Sequence, residues 1–215
     1  MEEYRDHNFA TVLVGSNIYR IPESQYEKFK IHCPEFYEAL ERHEKSLEVD
    51  FHRNCDAFDL FLFWVSENKL PDLADDVREE SGSIKDERAG RLQDSLVELW
   101  GFAGKYWISK LQNDTMRSLL EVLGCTLVKP AQLREPLDFT GESQLENAMF
   151  LEVAHDLLEG SYTAREVQQF AELDGFLSRF ITLVTGEWPL DPRETSPSSQ
   201  FTDYGYLLAF MVLEY

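Results

Sequence analysis

Histidine and cysteine side chains are the first candidates for chemistry, because imidazole and thiolate groups bind metals and act as bases or nucleophiles. The close groupings of the two residue types are His32–Cys33 and His52–Cys55. A structural zinc site needs four ligands, usually from paired clusters. Adjacent residues such as His32 and Cys33 point in different directions. The sequence therefore predicts no metal site.

Other reactive patterns also lack the partners that their chemistry requires. Residues 101–105 (GFAGK) have too short a gap between the glycines for a phosphate-binding loop, and Tyr106 stands where Ser or Thr would hold magnesium. Cys125 has no neighbouring base in the sequence. His155 and Asp156 are adjacent, so they do not face each other on a helix. We therefore predict no catalytic residue, no cofactor and no enzymatic activity.

Charge and cysteine content narrow the classes of partner and compartment. The 215-residue chain carries 40 acidic and 20 basic residues, a formal net charge of −20. Binding to nucleic acid or to anionic membranes relies on Lys and Arg, so this balance argues against both. Three widely spaced cysteines suit a reducing compartment, and the N-terminus lacks the pattern of a secretory signal. We expect a cytoplasmic or nuclear protein.

The most apolar stretch predicts a buried helix at the centre of the fold. Residues 57–65 are apolar except for Asp59, and four of them are aromatic. A helix that is apolar on all sides must be covered on most sides, and Pro71 prevents it from continuing. The side chains expected to be buried are Phe58, Phe61, Leu62 and Val65.

Shorter patterns predict the elements around this helix. Residues 10–14 and 18–21 are β-rich runs on either side of Gly15–Ser16–Asn17, which predicts a hairpin. Apolar and acidic residues alternate over 47–51 and predict a half-buried strand. Leucines at helical spacing predict a helical hairpin over 92–124.

Two further segments are predicted to lack regular secondary structure. Residues 72–91 hold many charges and few apolar side chains, so we expect a long acidic surface loop. Pro130 and Pro136 predict a linker over 126–140.

The last part of the chain predicts a helical module with a different surface. Apolar residues recur at helical spacing over 145–157 and again over 167–184, where Val167, Phe170, Leu177, Ile181 and Val184 form one stripe. Residues 201–215 predict a final apolar helix, with a strand as the less favoured alternative. Residues 135–215 carry 15 acidic and 3 basic residues, which indicates a separate module.

These elements together predict an α+β fold with helices gathered on a small sheet. The predicted division is a loose N-terminus at 1–8, a domain at 9–125, the linker at 126–140 and a helical C-terminal extension at 141–215. The Ser24–Glu27 and Thr163–Glu166 pairs have the spacing of a capping box and predict two helix starts.

The order of these elements, with several of their residues, resembles a BTB/POZ domain. Residues 12–21 (VLVGSNIYRI) are similar to the family's opening hairpin, and residues 33–40 (CPEFYEAL) to its second helix. Residues 47–65 look like its third strand and central helix, and residues 99–111 like its step into the last helical hairpin. The resemblance covers about residues 9–124 and is closest in style to the single-BTB proteins of filamentous fungi.

The resemblance implies a small mixed sheet with helical hairpins and a function in binding other proteins. It implies an adaptor or scaffold that associates with itself or binds a cullin of a ubiquitin ligase. Near Phe9–Ala10 and Pro22–Glu23 this chain lacks the charged residues that support the family's homodimer, which argues against a homodimer of that kind.

The candidate partner-binding residues lie at the end of the central helix and at the mouth of the helical hairpin. The family uses the end of the central helix for partners, and an aromatic residue at a surface junction is a typical interface anchor. Of the two aromatic residues at that mouth, Trp107 fits the core better. The candidates are Ser66, Glu67, Asn68, Lys69 and Tyr106.

Two alternative functions stay open. A small enzyme would need a deep pocket with convergent polar groups between residues 1–125 and 141–215. A structural partner subunit would need no connection to a ubiquitin ligase.

Overall fold

The sheet at the start of the chain has three strands in the order β2–β1–β3. Strand β1 (Phe9–Val14) pairs antiparallel with β2 (Asn17–Pro22) and parallel with β3 (Ser46–Val49). Gly15 takes a left-handed φ of 56° in the two-residue turn, a conformation that this tight connection requires. Leu47 and Val49 are buried while their neighbours in β3 are exposed. The predicted hairpin and half-buried strand are therefore confirmed.

Helices make up most of the remaining described chain. The computed structural model describes residues 9–49, 51, 56–78, 82–133, 143–187 and 211–212, without the side chains of 76, 82–85 and 186–187. Within these ranges the helices are α1 (Tyr26–His32), α2 (Pro34–Arg42), α3 (Asp56–Glu67), α4 (Leu73–Arg78), α5 (Gly82–Lys105), α6 (Ser109–Leu123), α7 (Gln144–Leu158), α8 (Ala164–Ala171) and α9 (Phe176–Thr182). Short 3₁₀ turns cover Glu23–Gln25 and Pro130–Leu133, and a π turn covers Leu183–Glu187. The fold is α+β, as predicted.

Helix α3 is the predicted central helix, and it lies in an aromatic cluster. Phe61 packs 4.7 Å from Phe102 of α5 and 5.1 Å from Phe36 of α2, measured between ring centroids. Phe58, Phe61 and Val65 are buried as expected, whereas Leu62 is half-buried. Phe63 is 41% exposed, so the expectation of burial on every side is wrong for the outer face of α3.

The prediction of an acidic surface loop at 72–91 is wrong, because much of this segment is helical. Leu73, Ala74 and Val77 are at most 5% exposed and hold α4 in the core. Helix α5 begins at Gly82 and buries Ala89. A few buried side chains at helical spacing are enough to order a segment in which charged residues outnumber apolar ones.

The described part of the predicted linker, residues 126–133, is packed and does not behave as a linker. Val128 and Leu133 are fully buried. The Tyr162 hydroxyl donates a 3.0 Å hydrogen bond to the Val128 carbonyl oxygen, and Gln132 Nε2 donates to the Gly90 carbonyl. Proline ends helices but does not prevent burial. Residues 134–140 lie outside the described residues.

Helices α5 and α6 connect the two halves of the described chain. The sheet-side core contains Leu99 and Leu111, while the second core contains Leu96 and Met116 from the same two helices. Gly104 of α5 is a point of close approach, since a Cβ there would lie 2.7 Å from Gln112 Nε2 of α6. The C-terminal helices therefore pack on the same hairpin that covers α3.

Helix α7 is the core of the C-terminal helices. Residues 148–154 are all buried, and Arg179 of α9 pairs with the buried Glu146 while its guanidinium lies 4.2 Å from the centroid of the Phe150 ring. The Thr163–Glu166 capping box is present at the start of α8. The Ser24–Glu27 box is not, because Ser24 lies inside a 3₁₀ turn.

The predicted stripe over 167–184 is broken into two helices. Gly175 takes a φ of 74° between α8 and α9, so the stripe does not stay on one face. Phe170 is 1% exposed, whereas Leu177 and Ile181 are each 52% exposed. The predicted final helix at 201–215 lies outside the described residues except for Met211 and Val212.

Replacing Phe61 with Ala should lower the free energy of unfolding by about 3–5 kcal/mol, because it leaves a cavity among packed aromatic rings. Phe63→Ala is the matched control on the same helix, and we expect it to cost less than about 1 kcal/mol since its ring is partly solvated. Urea denaturation of both variants measures the difference. Equal losses would contradict the position of α3 described above.

Candidate protein-interaction surface

The thiol and imidazole side chains in the described part of the chain do not form a metal site. Cys33 is buried, and burial raises the pKa of its thiol far above the usual range, so it is a poor nucleophile. No group of three or more His, Cys, Asp or Glu residues is placed to hold a metal within the described residues. His52 and Cys55 lie outside those residues.

Asp156 of α7 is the titratable group with the clearest perturbation near neutral pH. Its pKa is raised to about 6, chiefly by burial, while His155 opposes the shift and Glu159 adds to it. A carboxyl group that is partly removed from water favours its neutral form. Asp156 is therefore a source of pH-dependent stability in the C-terminal helices.

The predicted partner-binding residues at 66–69 form the exposed end of α3. Glu67, Asn68 and Lys69 are exposed, and Ser66 is half-buried. Asn68 takes a left-handed φ of 56°, and its N–H donates a 2.6 Å hydrogen bond to the Trp64 carbonyl. This bond ends the helix with the simple left-handed capping motif. Residues 67–69 therefore lie on the surface, as expected.

Two lysines from other helices bind the end of α3. Lys28 of α1 donates a 2.8 Å hydrogen bond to the Ser66 carbonyl. Lys110 of α6 donates to the side-chain and main-chain oxygens of Asn68, at 2.6 and 3.0 Å. Ammonium groups are favourable at a helix C-terminus, where carbonyls lack partners and the helix dipole is negative. The lysines therefore hold α1, α3 and α6 together at this edge.

These lysines also influence His32, whose ring lies 5.8 Å from the Trp64 ring. Burial lowers the pKa of His32, and the positive charges of Lys110 and Lys28 lower it further. His32 is thus held in its neutral form, and the edge carries no additional histidine charge near neutral pH.

Tyr106 is not an exposed anchor, so that prediction is wrong. It is 9% exposed. Its ring packs 5.1 Å from Phe36 and 4.8 Å from Phe102, and burial raises the pKa of its hydroxyl. Phe102 lies four residues earlier on α5, so helical spacing alone could have placed Tyr106 on the buried face.

Trp107 is the exposed aromatic residue at this edge, contrary to its expected place in the core. It is 83% exposed and takes a left-handed φ of 54°. Its N–H bonds to the Gly104 carbonyl and the Ile108 N–H bonds to the Ala103 carbonyl. This pair of bonds is the Schellman motif, whose left-handed position is usually occupied by glycine. A tryptophan there adds strain of about 1–2 kcal/mol.

A groove of about 290 Å³ begins beside Lys69. One wall is the connection between α3 and α4, residues 69–72, and the other is α6. The α6 wall carries Asp114, Arg117, Ser118 and Glu121. We call the end of α3, Trp107 and this groove together the α3–α6 edge.

Asp114 connects this groove to the core. Its carboxylate accepts a 2.9 Å hydrogen bond from the indole Nε1 of the buried Trp64 and one of 3.3 Å from Arg117. The groove lies within residues 69–121, so it is not a pocket between residues 1–125 and 141–215.

Comparison with known proteins supplies no relative: no model of a known protein family and no curated protein matches this sequence. No helix among the described residues is both long enough and apolar enough to cross a membrane.

We expect Trp107→Gly to raise the free energy of unfolding by about 1 kcal/mol, because glycine adopts the left-handed conformation without strain. Trp107→Ala is the control, since it removes the ring and keeps the β-carbon that causes the strain. Urea denaturation compares both with the unmodified chain. A loss of stability in the glycine variant would show that the ring contributes to folding.

Asp156→Asn should stabilise the protein at pH 7.5 and have little effect at pH 3.5. The raised pKa means that the folded state binds the proton more tightly than the unfolded state. Stability is therefore present below the unfolded pKa and lost as the pH rises through about 6. Thermal denaturation across this pH range tests the sign, and a benefit that is equal at both pH values would contradict it.

Proposed function

We propose that residues 9–125 form a BTB/POZ-like protein-interaction module and that the chain acts as an adaptor or scaffold by non-covalent binding. The element order supports the proposal: a hairpin, α1 and α2, a third strand parallel to β1, a central helix, and the helical hairpin α5–α6. Fold likeness by itself is an analogy and leaves function to be argued from a site.

Trp107 is the single observation that carries the proposal. Its ring is largely in solvent while its backbone is strained, so folding gains little from tryptophan at this position. Strained residues that stability does not explain are concentrated at functional sites, and tryptophan is among the residues most enriched in binding hot spots. Trp107 precedes Lys110, which binds the end of α3, by three residues in the chain.

We propose other proteins as the partners and a cytoplasmic or nuclear compartment. Cys33 and Cys125 are free thiols, which suits a reducing environment. A narrower version of the proposal is that the partner is a cullin, and this version rests on the resemblance to the family. A separate version is that the chain forms a homodimer. Binding of another protein at the α3–α6 edge does not require a homodimer.

A photo-crosslinking amino acid in place of Lys69 should capture a discrete partner protein in the cells that make this chain. The same amino acid in place of Leu177, an exposed position on α9, is the control for non-specific capture. Combining the Lys69 probe with Trp107→Gly should abolish the crosslink without unfolding the chain. Identical products from both positions would contradict the proposed surface.

The captured protein and the mass of the purified chain separate the versions of the proposal. Mass spectrometry identifies a cullin if the narrower version is correct. Light scattering at micromolar concentration gives a dimer mass if the chain associates with itself, and a monomer mass would exclude that version.

A further inference from the structure

We propose that the partner presents an arginine or lysine side chain to the groove between residues 69–72 and α6, and an apolar side chain to Trp107. This inference rests on the proposed interaction function and names the chemistry of the partner. The occupant is therefore one segment of another protein with two anchor residues at a defined separation.

The α6 wall of the groove is one face of that helix. Lys110, Asp114, Arg117 and Glu121 recur at intervals of three or four residues, which places them in one row on the helix. Trp107 lies two residues before α6 begins at Ser109. With a rise of about 1.5 Å per residue, Ser109 and Ser118 are about 14 Å apart along the helix axis. Extended chain covers that distance in about four residues, so anchors at Trp107 and in the groove are separated by about five residues.

The groove carries more negative than positive side chains. Asp72, Asp114 and Glu121 face Lys69 and Arg117. Asp114 already accepts hydrogen bonds from Trp64 and Arg117. Burial raises the pKa of Glu121, and the nearby Asp72 raises it further, although Arg117 and Arg78 oppose the shift. A cation placed between Asp72 and Glu121 would relieve this repulsion.

The size of the groove also fits a single side chain. A volume of about 290 Å³ lies at the lower limit for pockets that hold small-molecule ligands. A guanidinium group with its five N–H donors can bond two carboxylates and lie along the half-buried Leu70 and Pro71. Arginine is therefore expected to bind more tightly than lysine.

The surroundings of Trp107 indicate that the apolar side chain of the partner, and not its basic one, binds at this residue. Lys105 and Lys110 lie two residues before and three residues after Trp107 in the sequence, and their positive charges would repel a cation brought to this residue. Lys28 and Lys110 are already bonded to carbonyl oxygens of Ser66 and Asn68, so an acidic segment would have to displace these bonds. The edge therefore favours an apolar-and-basic partner over an acidic one.

Selection from a displayed library of random twelve-residue peptides on the full chain tests this proposal. The selected peptides should carry a large apolar residue and an arginine or lysine about five positions apart. Replacing that arginine with citrulline, its uncharged analogue, should weaken binding by about tenfold, as expected for a hydrogen-bonded charge in a partly buried site.

Variants of the chain locate each anchor. Trp107→Gly should reduce binding by about tenfold or more. Asp72→Asn combined with Glu121→Gln should remove the preference for arginine over citrulline. Glu38→Gln combined with Asp59→Asn makes the same change of charge on exposed residues elsewhere and should leave the preference intact. The indole N–H resonance of Trp64 should shift on binding, because that group donates to Asp114 in the groove wall.

The outcomes distinguish this inference from the function on which it rests. Peptides that need Trp107 but bind equally with arginine and citrulline would overturn the groove assignment and leave the interaction surface standing. Peptides enriched in acidic residues would overturn the partner chemistry in the same way. Failure to select any peptide whose binding depends on Trp107 would count against both.

Discussion

The indole N–H of Trp64 imposes the constraint on which the α3–α6 edge depends. Trp64 is 1% exposed, and a buried N–H without an acceptor would cost about 1–3 kcal/mol. Asp114 of α6 supplies the acceptor, and this bond sets the position of α6 against the end of α3. Lys110 then lies one turn earlier, 5.6 Å from the centroid of the Trp64 ring and within hydrogen-bond distance of Asn68. The groove wall and the lysine cap of α3 therefore follow from one buried polar group.

Periodicity predicted the elements whose burial is regular. Strand β3 and the α5–α6 hairpin were predicted from apolar residues that recur every two or every three to four positions, and both are present. The opening hairpin was predicted from β-rich runs around a turn and α3 from an almost continuous apolar run, and these are present too. Residues 72–91 were misread because charged side chains outnumber apolar ones there, although Leu73, Ala74 and Val77 are enough to bury one face. Composition averages over all faces of a helix, whereas folding depends on one face.

The sequence predicted where the candidate surface lies but did not predict which aromatic residue is exposed there. Residues 67–69 are exposed where the end of the central helix was expected. Tyr106 and Trp107 exchange their expected environments because α5 ends at Lys105, just before them. A left-handed residue turns the chain, so Tyr106 stays on the face of Phe102 while Trp107 points away from the core. A single residue in the left-handed conformation at the end of a helix does not alter hydrophobic periodicity. The residue that usually marks this conformation is glycine, and position 107 is not a glycine.

Left-handed backbone conformations show that this surface is not optimised for stability alone. Four non-glycine residues in the described chain have positive φ, namely Glu44, Lys45, Asn68 and Trp107. Asn68 tolerates this conformation because asparagine is among the residues that adopt it most readily. Trp107 has no such preference and buries little of its ring in return. Folding favours glycine at position 107, whereas the proposed interaction function favours tryptophan, so the proposal accounts for a residue that stability does not explain.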